Sequence, residues 1–94
     1  MNKQIFDALL SLYNTKSASA EQLASASALL RAHAEIIEHP FTRIYLHYSP
    51  PGCCDAGSLY VYLLDDTHDE DNPLARFEIN QANYALTKVD PEHW

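Results

Sequence analysis

The sequence has little with which to bend or staple a chain: two glycines, five prolines and two cysteines in 94 residues. The cysteines, Cys53 and Cys54, are neighbours and cannot join distant segments, so a disulfide-built scaffold is excluded and a reducing compartment fits. Cations are also scarce, six against thirteen acids, for a formal charge of -7. Lys3, Lys16, Arg31, Arg43, Arg76 and Lys88 are spread along the chain. Scattered cations in an acidic chain oppose contact with phosphate backbones and anionic lipid, so neither nucleic-acid nor membrane binding is expected. A basic protein partner suits this charge, including a DNA-binding protein whose groove the chain occupies as a decoy.

Long apolar runs are missing, which removes a membrane-spanning helix. The stretch after Lys3 is cut by Asp7, leaving only Ala8 to Tyr13 without charge or amide. That is shorter than the roughly 7 to 15 residues a signal segment needs, even though Ala18-Ser19-Ala20 resembles a cleavage site, so the start reads as a helix of a cytoplasmic protein. There is no repeat, no low-complexity tract and no cofactor signature, and none is expected to be used.

What is present is a hydrophobic fraction of 47%, enough for one modest core over 1–94, with a helical half at 1–40 and a sheet half at 42–90. Ile5, Phe6, Leu9, Leu10, Leu12 and Tyr13 recur at helical spacing and predict a helix over Lys3 to Tyr13, with a turn at Asn14 to Ser17. Ser19 with Gln22 three residues on resembles a capping box opening a second helix that runs to Glu38. Its stripe takes in Leu23, Ala26, Leu29, Leu30, His33, Ile36 and Ile37, with Ala24, Ser27 and Ala28 as a small-residue side, and Pro40 ends it.

From Thr42 the pattern changes to period two. Thr42 to Ser49, Ser58 to Asp65 and Leu74 to Asn80 predict strands, and Asn80 to Asn83 supplies turn residues that tolerate positive φ. The segment 83–89 fits a helix or a strand, and the strand is preferred because Pro91 leaves no room for a helix. Pro50-Pro51-Gly52 turns the chain and guards a strand end. The expected fold is α+β, two N-terminal helices on one face of a four-stranded antiparallel meander.

Alternation then yields the most informative feature. Ile44, Leu46 and Tyr48, with Leu59, Val61 and Leu63, fill one face, so Arg43, Tyr45 and His47, with Tyr60, Tyr62 and Leu64, fall on the other. A ring tipped by a hydroxyl suits a surface that is wet when free and dry when occupied, which makes this face a candidate contact site. A fold-back of Trp94 would cover part of it. Beside it, Asp65, Asp66, Asp69, Glu70 and Asp71 place five of the thirteen acids in one loop, read as a solvated hairpin held open by self-repulsion that steers a basic partner. The loop lacks the central glycine and distal glutamate of a calcium pattern.

Three other groupings carry less. Cys53, Cys54 and Asp55 follow a strand bearing His47, the minimum set for a thiol nucleophile, but an oxyanion site and a lowered thiol pKa are not legible. His47, Cys53, Cys54 and His68 lack the paired spacing of a zinc site. His33 reads as a histidine at the core edge. The expected function is therefore a small acidic protein-interaction module of inhibitor, immunity or adaptor type, from a bacterium or phage, that docks through the tyrosine face and acidic loop and self-associates as a homodimer. A ligand pocket between sheet and helices, lined by tyrosines with Arg43 and His47, and a Cys/His enzyme are the alternatives.

Overall fold

The computed structural model describes residues 2–14, 19–32, 36 and 41–90. Helix α1 spans Asn2–Asn14 and buries Ile5, Phe6, Leu9 and Leu12 of the predicted stripe, while Leu10 is half-buried and Tyr13 is exposed. On its wet side Lys3 Nζ lies 2.9 Å from Asp7 Oδ2, one turn on. Helix α2 spans Ala20–Arg31 and opens on the expected capping box. The Gln22 amide N–H donates to Ser19 Oγ at 3.1 Å, and the Ser19 N–H donates to Gln22 Oε1 at 2.8 Å. Two helix-end donors are thereby satisfied, worth about 1 kcal/mol.

Helix α2 differs from expectation in extent and orientation. It ends at Arg31 rather than Glu38, with the Ala32 N–H bonding back to the carbonyls of Ala28 and Leu30. The Arg31 side chain reaches forward instead, donating to the Phe41 carbonyl at 3.1 Å with its guanidinium 4.5 Å from the Phe41 ring centroid. Ile36 is helical and buried; of the expected turn at Asn14 to Ser17, Asn14 belongs to α1, and 15–17, His33, Ile37, Glu38, Pro40 and Trp94 lie outside the described residues. The buried stripe narrows to Ala26 and Leu30, while Leu23 remains 41% exposed and Ala24 and Ala28 are solvent-facing. Between the helices, Ala8 and Ser11 of α1 and Ser25 and Ala26 of α2 help line a groove of about 340 Å³.

The sheet is an antiparallel meander in the order β1 (Arg43–Ser49), β2 (Ser58–Leu64), β3 (Ala75–Asn80) and β4 (Leu86–Val89). The ambiguous last segment is thus a strand, shorter than 83–89. Leu59, Val61 and Leu63 of β2 and Ala75, Phe77 and Ile79 of β3 are almost wholly inaccessible and pack in one cluster with Phe6, Leu9, Leu30 and Ile36. Burying one such side chain contributes about 1.5–3 kcal/mol before entropy is counted. On β1 the equivalent residues Ile44, Leu46 and Tyr48 are only partly buried. Burial of the inner face is complete on the two central strands and partial on β1.

Two corners hold the strands in register. Gly57 sits at φ 91, and a Cβ there would lie 2.6 Å from Gln81 Oε1 and 3.0 Å from Pro51 Cδ, so only glycine fits. Gln81 Oε1 also accepts from the Tyr48 hydroxyl at 2.7 Å, and the Gln81 N–H donates to the Gly57 carbonyl at 3.0 Å. At the β3–β4 turn the positive φ falls on Tyr84 (58°), not on the expected asparagines. Asn80 and Asn83 serve the turn through their side chains, accepting from the N–H groups of Ala82 at 2.8 Å and Ala85 at 3.0 Å.

Candidate interaction face

Antiparallel register brings the tyrosines together. Tyr45 pairs with Tyr62 and His47 with Tyr60 across β1 and β2, while Tyr62 pairs with Arg76 and Tyr60 with Glu78 across β2 and β3. Since partners in a ladder share a face, these side chains stand on the side opposite the helix-packed cluster. The rings touch: Tyr45 and Tyr62 meet edge to face, with centroids 5.5 Å apart and planes at 88°, and His47 stacks on Tyr60 at 6.2 Å and 26°. Tyr45 is 44% exposed and His47 is exposed, whereas Tyr60 and Tyr62 are half-buried by their neighbours.

Arg76 and Glu78 belong to this face and escaped the sequence reading. The Arg76 guanidinium lies 4.5 Å from the Tyr60 centroid and 5.0 Å from that of Tyr62, so one cation bridges two rings. Its Nε is covered and has no hydrogen-bond acceptor among the described residues. The signal that would have found both was the alternation Arg76, Glu78, Asn80 between inward Ala75, Phe77 and Ile79. The cations are thus less scattered than the linear sequence suggests: Arg43 and Arg76 share one face of the sheet, with Glu78. Burial, and then the Glu78 carboxylate, push the Tyr60 phenol pKa above its usual 10.0, with Arg76 pulling the other way.

Arg43 stands at the corner of the face and ties the acidic loop to it. Its Nη2 donates to the carbonyls of Asp65 at 2.9 Å and His68 at 3.2 Å. The loop is not held open by self-repulsion, as expected from its charge; it is two successive tight turns. Asp65 Oδ1 accepts from the Thr67 N–H at 2.8 Å, the Thr67 hydroxyl at 3.0 Å and pairs with His68 Nδ1 at 2.7 Å. Asp69 Oδ1 accepts from the N–H groups of Asp71 at 3.1 Å and Asn72 at 3.0 Å. Two carboxylates are spent on the turns, and Asp66, Glu70 and Asp71 stay exposed to solvent. The His68 hydrogen bond and the Thr67 donors hold the Asp65 carboxyl down at about 2, against an ordinary 3.8.

Leu64, expected on the tyrosine side, is only 3% exposed; it lines a groove of about 300 Å³ with Arg43, Tyr45 and Glu70. The same groove reaches around the β1 edge to Ile44 and Leu23.

The other candidate groupings are not assembled. His47 stacks on Tyr60, and neither exposed thiol bonds to it; Cys53 Sγ and Cys54 Sγ face each other at 3.3 Å. Among the described residues no three His, Cys, Asp or Glu side chains converge on a metal position, and no helix is long and apolar enough to cross a membrane. Of the residues expected to line a pocket between sheet and helices, Arg43 and Tyr45 line the groove at the β1 edge with Leu23 and Ser27 of α2, whereas His47, Tyr60 and Tyr62 stand on the face away from the packed cluster. Comparison of the chain with protein-family models, with curated proteins and with solved structures finds no match.

Proposed function

We propose that the chain is a non-enzymatic interaction module, of inhibitor, immunity or adaptor kind, which docks a partner protein through the aromatic face and also associates with its own copy. The observation that carries this reading is the continuous run His47, Tyr60, Arg76, Tyr62, Tyr45 across three strands, on the side of the sheet away from the packed cluster. Aromatic rings and arginine are the side chains that concentrate binding energy at interfaces, because they bury much area at small entropic cost. Asp66, Glu70 and Asp71, exposed on a loop that Arg43 ties to the corner of the face, steer a partner that is basic beside its docking patch. A cytoplasmic setting belongs to the same proposal, since two exposed, adjacent thiols persist best in a reducing medium.

Affinity capture from the host lysate tests the reading when the unaltered chain is compared with Tyr45→Ser/Tyr62→Ser. The double variant keeps its helical circular dichroism and melts within a few degrees of the parent, yet loses the captured protein. Identical capture by both chains would remove the aromatic face from the account.

A further inference from the structure

The ladder fixes which main-chain groups of β1 are free. In an antiparallel pair, successive residues turn their N–H and C=O alternately toward one neighbour and the other. On β2 the Leu63 carbonyl accepts from the Leu74 N–H at 2.8 Å, and the Gly57 carbonyl from the Gln81 N–H at 3.0 Å, so the odd residues bond toward β3. The Leu64 carbonyl accepts from the Thr42 N–H at 2.9 Å, so the even residues bond toward β1. Their register partners are Arg43, Tyr45, His47 and Ser49. Ile44, Leu46 and Tyr48 therefore turn their N–H and C=O outward, to an edge where no described residue pairs with them.

Among the described residues nothing guards that edge. The opposite edge, β4, has four residues and carries Lys88, two devices that discourage further pairing. β1 has seven residues with no proline, lysine or bulge among them. The exposed large hydrophobic residues gather along it: Leu23 and Tyr45 line the groove at its start, and Tyr13 lies 6.2 Å from Tyr48 near its end. An edge with free main-chain groups and apolar flanks is a template for another strand.

We infer that the occupant is β1 of a second copy, antiparallel and centred on Leu46, joining two meanders into one eight-stranded sheet. This gives a surface to the self-association in the reading above and is independent of capture by the aromatic face. Only residues with outward groups can form hydrogen-bonded pairs, and centring on Leu46 matches them all: Leu46 with Leu46, Ile44 with Tyr48 and Tyr48 with Ile44, each pair exchanging two bonds. The register ends where the strand does, with Arg43 opposite Ser49, and Pro50 prevents slippage beyond it.

Although two such chains repel overall, the strand itself carries nothing that opposes a second copy. β1 contains Arg43 and His47 and no acid, so two chains of charge -7 meet along a strip free of carboxylates. Each Arg43 arrives at the end of the other β1 that leads into the 50–57 loop, which carries Asp55. On the open face Tyr45 comes opposite His47 of the other copy, and the aromatic run continues across the join.

Sedimentation over a concentration range tests the pairing. The chain is expected at twice its 10.6 kDa mass, and association tightens with salt because screening relieves the repulsion of two acidic bodies. Leu46→Pro removes an outward N–H without touching the β1–β2 ladder and weakens the dimer by roughly 100-fold. Tyr62→Ser, one strand away from the edge, leaves it intact and so separates this proposal from the aromatic-face reading. Register is read by cross-linking in a Cys53→Ser/Cys54→Ser background: an equimolar mixture of Tyr45→Cys and His47→Cys chains forms interchain disulfides faster than either alone. A chain that remains monomeric, or a dimer whose mixture cross-links no faster than its components, overturns the proposal whether or not Leu46→Pro folds.

Discussion

The guanidinium of Arg76 is stacked 4.5 Å from the centre of the Tyr60 ring, with its Nε enclosed and, among the described residues, unbonded. A covered donor without an acceptor costs about 1–3 kcal/mol, and a cation over an aromatic face returns about 0.5–2 kcal/mol. The two nearly cancel, so the residue contributes little to stability.

Arg76→Met keeps the stem and removes both effects. Thermal melting should place it within about 1 kcal/mol of the parent. The Tyr60 phenol should ionise at still higher pH, because Arg76 is the cation holding its pKa down. Absorbance titration of the phenolate reads that shift directly. In the unaltered chain the raised Tyr60 pKa contributes stability fully present below pH 10.0, which is lost as pH rises through the folded-state value. A Tyr60 that titrates earlier in Arg76→Met than in the parent would contradict the stacked geometry.

Asp65 sets the opposite end of the pH range. Its carboxyl is depressed to about 2 from 3.8, so its contribution to the loop is complete above pH 3.8 and lost as pH falls toward about 2. In Asp65→Asn the charge is gone, and the acceptor for Thr67 survives only in part. Carboxyl titration by NMR should place the Asp65 midpoint at about 2, with the Thr67 amide resonance moving in step. An Asp65 midpoint at the ordinary 3.8 would mean that the His68 and Thr67 bonds do not persist in solution.

The tyrosine face was legible because period two is rigid: once Leu59, Val61 and Leu63 are inside, Tyr60 and Tyr62 have nowhere else to go. The meander and the capping box at Ser19 were legible for the same local reasons. Arg76 was hidden because its role depends on which strand lies beside β2, and register between strands is a tertiary fact. Leu23 was misplaced since helical spacing gives a stripe but not how far the sheet extends beneath it; at the β1 edge the sheet ends and the residue overhangs. The acidic loop misled through composition. Five acids suggest repulsion, yet two of them stand where an aspartate can cap its own turn, and that local geometry prevails over screened charge.

Tyr84 offers the sharpest test of tertiary against local preference. Its φ of 58° costs a non-glycine residue about 1–3 kcal/mol, and its ring packs edge-on against Phe6 with centroids 5.3 Å apart. The hairpin tolerates the strain because α1 holds the ring. Tyr84→Gly removes strain and ring together, and denaturant unfolding should place it within about 1 kcal/mol of the parent. Phe6→Ala removes a buried side chain and the ring's support at once, and should cost about 3–5 kcal/mol. In the double variant the two changes should not add, because the contact they share is lost only once. Additive costs, or a Tyr84→Gly penalty as large as that of Phe6→Ala, would show that the turn is held by something other than this pair.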